Sequence, residues 1–363
     1  DSFDDLADQT VSVDTLDDDV AGFTIEETDG STEVDESGTT DTFTIVLDAQ
    51  PTNDVVVLAT ASNDETEATV SGSITFTSEN WDTPQTVTVT GVDDDLVDGD
   101  QTYDITISIV DTISDDEFDG VADQSISSTT IDDDTPGFTI EETDTATEVD
   151  ESGSTDTFTV VLGAQPTSDV VLTVTSDDTG EATVNSPLTF TPVNWDTPQT
   201  VTVTGADDDL VDGTITSTIT IAVDDANSDD GFDNLDDQTV SVDTTDDDTP
   251  GFTIEETDAA TEVDESGSTD TFTIVLDAQP TLDVVLTITS DDTGEATVPA
   301  SVTFTAADWD TPQTVTVTGA DDSIIDGTIT STITIAVDDA NSNDSFDDLA
   351  DQTVSVDTLD DDT

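Results

Sequence analysis

The sequence predicts an all-β protein of tandem seven-stranded β-sandwich domains joined end to end as a rod. Three observations predict it. Short runs of Val, Ile, Leu and Phe alternate with Thr, Ser and Asp, the period-two pattern of half-buried strands rich in β-branched residues. Marker phrases recur at a fixed interval: Trp81, Trp195 and Trp309 each open "WDTPQTVTVTG" and lie 114 residues apart (195 − 81 and 309 − 195), a length typical of one β-sandwich domain. No stretch sustains a helical period.

The alternation can be read directly. "TFTIVL" sets Phe43, Ile45 and Leu47 on one face, "QTVTVTG" sets Val87 and Val89, and "YDITISI" adds Ile105, Ile107 and Ile109. In the second repeat, strands are expected near 137–142, 155–162, 170–175, 182–191, 199–205, 216–223 and 238–243. The "NSP" at 185–187 reads as a kink inside one crossing strand. The Trp residues are expected to plug the core at one end. The loop "SDDGFDN" at 228–234 is expected to be anchored by Phe232, as its counterpart is by Phe118.

"GFTIEETD" begins at Gly22, Gly137 and Gly251, which divides the chain into repeats at 20–134, 135–248 and 249–363. Residues 1–19, "DSFDDLADQTVSVDTLDDD", return letter for letter at 344–362. The opening segment is therefore expected to be the C-terminal strand of a preceding repeat, and the chain a window on a longer array. Two-residue linkers, Thr135-Pro136 and Thr249-Pro250, leave little room for swing because proline fixes its own φ.

Charge sets the chemistry. The 363 residues include 91 Asp and Glu and no Lys, Arg or His, for a formal charge of −91. No carboxylate can find a side-chain cation in this chain, and a like-charged pair at ~4 Å costs about 1 kcal/mol even in bulk water. Charge of this size opposes compaction, so a folded chain needs dissolved cations. Absent basic residues make nucleic acid an implausible partner. An anionic membrane surface would repel the chain, and no apolar run is long enough for insertion as a helix. With no Cys, disulfides, thiolate metal sites and a Cys nucleophile are excluded. A Ser-His-Asp triad and a His-bound zinc are equally impossible. The "DTG" at Asp178 and Asp292 sits among other acids in a turn, and the matching stretch of the first repeat is Asp64-Glu65-Thr66. No catalytic function is expected.

If each strand crosses the sandwich once, the turns after strands one, three and five share a pole with the end of strand seven. The turn "VDESG" brings Glu36, Glu151 and Glu265 to that pole. The third-strand turn brings Asp64, Asp178 and Asp292. The fifth brings Asp93, Asp94 and Asp98, then Asp207, Asp208 and Asp212, and in the variant "DDSIIDG" Asp321, Asp322 and Asp326. The last strand ends in Asp132, Asp133 and Asp134, in Asp246, Asp247 and Asp248, and in Asp360, Asp361 and Asp362. About eight carboxylates crowd each pole, a donor set that suits Ca²⁺ with its six to eight oxygen ligands. At the opposite pole Asp116, Asp119 and Asp230 would face the preceding domain's acids and could add ligands.

These residues carry a resemblance. The Glu of "VDESG", the "DDDLVDG" turn and the terminal "DDD" are similar to those of the Calx-β domain, the calcium-binding, Ig-like β-sandwich of sodium–calcium exchangers and many surface adhesins. The resemblance covers all three repeats. It implies that Glu151, Asp207, Asp208, Asp212 and Asp246–Asp248 ligate a cluster of Ca²⁺ ions at the junction with the next domain. The chain departs from that pattern three residues beyond Asp98, Asp212 and Asp326, where Gln101, Ile215 and Ile329 stand in place of an acid.

The function expected is that of a calcium-stiffened extracellular filament segment or adhesin stalk at a cell surface. Its partners would be Ca²⁺, its neighbouring repeats and identical chains in a filament. Two other readings stay open: a module that binds a glycan or a protein, and an acidic surface-layer protein of a halophile, screened by monovalent salt.

Overall fold

The computed structural model describes residues 7–62, 65–258 and 260–362. The chain forms three tandem β-sandwiches, each a four-stranded sheet packed on a five-stranded one. In the middle domain the smaller sheet runs Phe138–Glu142, Thr155–Leu162, Gln199–Gly205, Ala182–Val184, antiparallel throughout. The larger runs Thr147–Asp150, Gln238–Thr245, Ile215–Val223, Val170–Ser176, Leu188–Phe190. Its first pair is parallel and the others are antiparallel.

Alternation builds the core. Phe158 and Val160 from one sheet and Leu172, Ile219, Ile221 and Val242 from the other are each buried. The Thr residues between them face outward or sit half-buried, so the period-two pattern becomes two inner faces. Removal of these apolar side chains from water is the main driving force for the fold. Trp195 packs half-buried against this core, and Trp81 and Trp309 do so in their own domains. Phe118, Phe232 and Phe346 anchor short 3₁₀ turns at the same end, as expected.

The chain changes sheets twice, once after the expected first strand, where it adds an unexpected strand, and once inside the segment expected as a single kinked strand. After Glu142 the ladder ends where Thr143 donates its amide (3.2 Å) and hydroxyl (2.6 Å) to the Thr157 carbonyl. The chain then crosses over and resumes as Thr147–Asp150 beside the last strand. The segment expected as one kinked strand likewise divides at 185–187 into Ala182–Val184 on one sheet and Leu188–Phe190 on the other. Each switch gives the chain a hydrogen-bonding edge in both sheets, a common way for a sandwich to turn its corners.

Residues 7–20 form no strand, and Val11, Val13 and Leu16 are exposed. The identical letters at Gln352–Leu359 are a strand between Ile329–Val337 and Thr261–Asp264, with Val354 and Val356 buried. Alternation creates an apolar face, but a strand also needs backbone partners beside it.

The domains are joined by more than their linkers. Leu96–Val97 of the first pairs in parallel with Gln165–Pro166 of the second, and Leu210–Val211 pairs the same way with Gln279–Pro280 of the third. Val97 packs on the core of the second domain, and Val211, 6 % exposed, belongs to that of the third.

Candidate metal centre

The acidic pole is assembled by strand register. In the middle domain Asp150 lies opposite Thr245, so the turn after one strand meets the tail leaving the other. The Glu151 amide donates to the Thr245 carbonyl at 3.1 Å. The turn is closed by Ser152, whose amide donates to Asp150 Oδ1 at 3.0 Å, and by Gly153 with φ +92°. These Ser152 bonds hold the Asp150 carboxyl below its usual range. Gly205 makes the approach possible: a Cβ there would lie 2.1 Å from the Asp150 carbonyl oxygen. Glu151 is thereby folded under the end of the sandwich and left 1 % exposed.

Three further segments close on it. Ala182 opposite Gly205 places Glu181 beside the same end, 6 % exposed. Asp208 Oδ1 accepts from the Leu210 amide at 2.7 Å and shapes the 207–213 loop. Asp246 acts as a strut. Its Oδ2 accepts from the amides of Asp212 (2.9 Å) and Gly213 (2.8 Å), while its Oδ1 accepts from the Asp248 amide at 2.8 Å. Backbone amides thus tie loop to tail, while one buried oxygen each of Asp212 and Asp248 is left without a hydrogen-bond partner.

Two oxygen groups result, sharing Glu151. Glu151, Glu181 and Asp212 each bring a carboxylate oxygen within 4.8 Å of the others, and so do Glu151, Asp246 and Asp248. The first domain shows Glu36 with Asp132 and Asp134. The third shows Glu265, Asp322 and Asp362, and also Glu295, Asp322 and Asp326. Two oxygens bound to one Ca²⁺ at 2.3–2.6 Å can be at most about 4.6–5.2 Å apart, so each group is compact enough to share an ion.

The electrostatics are severe. Both carboxylate oxygens of Glu151 and of Glu265 are buried with no hydrogen-bond partner, and one oxygen each of Glu36, Glu67, Glu181, Asp212 and Glu295 is in the same condition. Burial, then the charges of Asp208 and Asp246, push Glu151 up to about 8. Glu36 rises to about 8 through burial, then Asp94 and Asp132. Glu265 reaches about 7, again chiefly by burial, and Asp134 about 6 by burial and then Asp132. Buried acids without donors or basic partners are costly. Their chemistry, hard anionic oxygens and nothing else, fits Ca²⁺ and does not suit a thiophilic metal.

The sequence-derived residues divide into two sets. Asp98, Asp132, Asp134, Asp212, Asp246, Asp248, Asp322, Asp326 and Asp362 reach the clusters with Glu36, Glu151 and Glu265. Asp94, Asp208 and Asp360 lie beside them. By contrast Asp93, Asp207 and Asp321 are exposed, as are Asp133, Asp247 and Asp361, the middle members of each terminal triplet. Alternation in an extended tail turns the first and third inward and the second out. Asp178 and Asp292 are exposed and accept from the amides of Gly180 and Gly294 at 3.0 Å, closing a turn. Asp64 lies outside the described residues.

The acid this turn contributes is the one sequence reasoning missed: Glu67, Glu181 or Glu295. Each immediately precedes "ATV" in its repeat, and that shared position at a strand start was the available signal. Asp116, Asp119 and Asp230, considered for the opposite pole, join no compact oxygen group among the described residues. Nor does any such group there draw an acid from the following domain. At the junction the structure shows backbone pairing and an apolar side chain seated on the next core.

No protein-family profile matches the chain, and no curated protein matches it. Among solved structures it is similar to the calcium-binding domain pair CBD12 of CALX1.1, at 16 % identity over 55 % of this chain and 80 % of that one, with a TM-score of 0.23. It is also similar to the I-band fragment I67–I69 of titin (9 % identity, 94 % and 97 % covered, TM-score 0.26). Domains 4–9 of the surface-layer protein SbsC match at 19 % identity over 92 % of this chain and 49 % of that one, with a TM-score of 0.25. These are distant likenesses, and at such scores they carry no functional weight.

Proposed function

We infer that this chain is a structural segment of an extracellular filament or adhesin stalk, stiffened by Ca²⁺ at poles of the Calx-β type. One observation carries the reading. Glu151 is buried with both carboxylate oxygens lacking a donor, and it stands within shared-ion distance of two pairs of acids.

Bound there, Ca²⁺ would neutralise the cluster and supply a multivalent anchor for its oxygens. Glu151, Glu181 and Asp212 would hold one ion, and Glu151, Asp246 and Asp248 a second. Asp212 directly follows Val211, which is seated in the next domain. Fixing Asp212 against Glu151 therefore fixes the loop that carries the junction. The cation stiffens the array from inside one domain, by ordering the loop on which its neighbour sits. Such a segment belongs outside cells, where Ca²⁺ is plentiful enough for modules of modest affinity.

The test is to remove divalent ions with EGTA at constant ionic strength, following melting temperature and the longest dimension by small-angle scattering. The expected result is a lower melting temperature and a shorter, more flexible particle, both restored by Ca²⁺ and not by an ionic-strength match with NaCl. If molar NaCl alone gives a rigid chain and Ca²⁺ adds nothing, the monovalent-screened surface-layer reading replaces this one.

A further inference from the structure

The first strand of each larger sheet and the strand that ends the domain lie side by side and run the same way. Thr147–Asp150 pairs in parallel with 242–245, as Thr32–Asp35 does with 128–131 and Thr261–Asp264 with 356–359. Phe138–Glu142 is antiparallel to Thr155–Leu162, which starts just after the 151–154 turn at the acidic pole. The chain therefore enters the middle domain at the opposite pole, and it leaves from the acidic one after Thr245. Tension along the chain pulls the two strands of the parallel pair lengthwise in opposite directions. Their hydrogen bonds are then strained together, where a sideways pull would break them one at a time.

The bonds across the pair can be traced. The amides of Glu148 and Asp150 turn away from it, donating to Asp156 Oδ2 at 3.0 Å and Ser154 Oγ at 2.6 Å. Peptide direction alternates along a strand, so the Val149 amide faces the last strand, as does that of Glu151, which donates to the Thr245 carbonyl at 3.1 Å. The carbonyl and amide of one strand residue point to the same side, so Thr245 also aims its amide at this pair. The same three bonds recur from Glu33 to Asp41, Asp35 to Thr39 and Glu36 to Ile131. They recur again from Glu262 to Asp270, Asp264 to Ser268 and Glu265 to Leu359.

The acids crown this pair. Glu151 directly follows one of its strands, Asp246 and Asp248 follow the other, and their oxygens lie within 4.8 Å of one another. We propose that each sandwich is a tension-bearing clamp, in which the parallel pair carries a pull along the chain in shear and a divalent cation shared by Glu151, Asp246 and Asp248 locks its strands together. The strands cannot slide apart without drawing Glu151 away from Asp246 and Asp248. The clamp follows from strand direction alone, and the lock rests on the calcium reading above.

Force spectroscopy tests both. The chain has no Cys, so introduced pairs of cysteines place the handles at chosen points. In the full chain, Thr135→Cys with Thr249→Cys loads the middle domain lengthwise, and Ser152→Cys with Thr249→Cys peels the pair from its acidic end. All three positions are exposed. In EGTA with molar NaCl to screen the acids, the lengthwise pull should need the higher force. Under lengthwise load Thr245→Pro, which deletes an amide of the pair at an exposed residue, should speed unfolding roughly fivefold. Glu148→Pro, whose amide faces the other way, should unfold near the wild-type rate. Added Ca²⁺ should raise the lengthwise force in wild type and not in Glu151→Gln. Equal forces in the two directions overturn the clamp, and so does a Thr245→Pro variant that unfolds like wild type. Should Thr245→Pro fail to fold, the comparison of directions decides alone. Ca²⁺ that binds by calorimetry without raising the force overturns the lock. No Ca²⁺ binding at all overturns the calcium reading, and the lock with it, and leaves the clamp standing.

Discussion

The Gln165 amide donates to the Asp95 carbonyl across the first domain junction at 2.6 Å. Three residues beyond Asp95 stands Asp98, with a buried carboxylate oxygen that has no hydrogen-bond partner. One short loop thus faces both ways, toward the next domain through its backbone and toward its own acidic pole through its side chain. On the proposed reading, an ion that neutralised the pole would also order the loop that carries the junction.

Glu151→Gln separates the cost of the buried charge from its use. Without Ca²⁺ the amide variant should melt at a higher temperature than wild type, because a buried anion without donors has been replaced by a neutral group. With saturating Ca²⁺ the order should reverse, and calorimetric titration should show weaker binding or fewer ions. A variant that responds to Ca²⁺ as wild type does would remove Glu151 from the ligand set.

Stability without Ca²⁺ should fall as pH rises. Glu36 and Glu151 are pushed up to about 8 and Glu265 to about 7, above the ordinary unfolded value of about 4.3. Between those limits the folded chain binds more protons than the unfolded chain, so raising pH favours unfolding. The stabilisation is fully present below the ordinary carboxyl range and is lost as pH passes through 7 to 8. Thermal melts in EGTA from pH 5 to pH 9 should show this decline, and Ca²⁺ should flatten it by favouring the ionised forms. A flat profile without Ca²⁺ would contradict the buried cluster.

Val211→Ala tests the junction. The side chain is 6 % exposed within the core of the third domain, and its truncation should cost about 1–2 kcal/mol there. Small-angle scattering in Ca²⁺ should show greater bending while the cores of the first two domains remain folded. Unchanged stiffness would mean that the two-residue linker alone sets the angle.

Asp229→Ala should be more harmful than Asp229→Asn, which keeps one of the two acceptors. Asp229 Oδ2 accepts from the Ser168 amide at 2.7 Å and Oδ1 from the Gly231 amide at 3.0 Å. Alanine leaves these donors unmet and should cost about 1–3 kcal/mol. Asparagine already occupies the equivalent position as Asn343, which accepts from the Ser345 amide at 3.0 Å and donates to Thr281 at 2.6 Å. Chemical denaturation of the two variants decides the comparison.

The sequence by itself determined the three sandwiches and brought many of their acids to one pole, because alternation, repeat length and crossing parity are properties of a one-dimensional string. It placed Glu151, Asp212 and Asp246 together for that reason. Tertiary structure decided what depends on partners and on side-chain direction. Glu181 displaced Asp178 because Asp178 closes its turn against Gly180. Asp247 turned outward because an extended tail alternates. Val13 lies in the open while Val356, with identical neighbours in sequence, is buried, because strands flank the second and not the first. The hydrogen bond from Gln165 to Asp95 joins residues far apart in the chain, and no local pattern announces a contact made at the meeting of two folded surfaces.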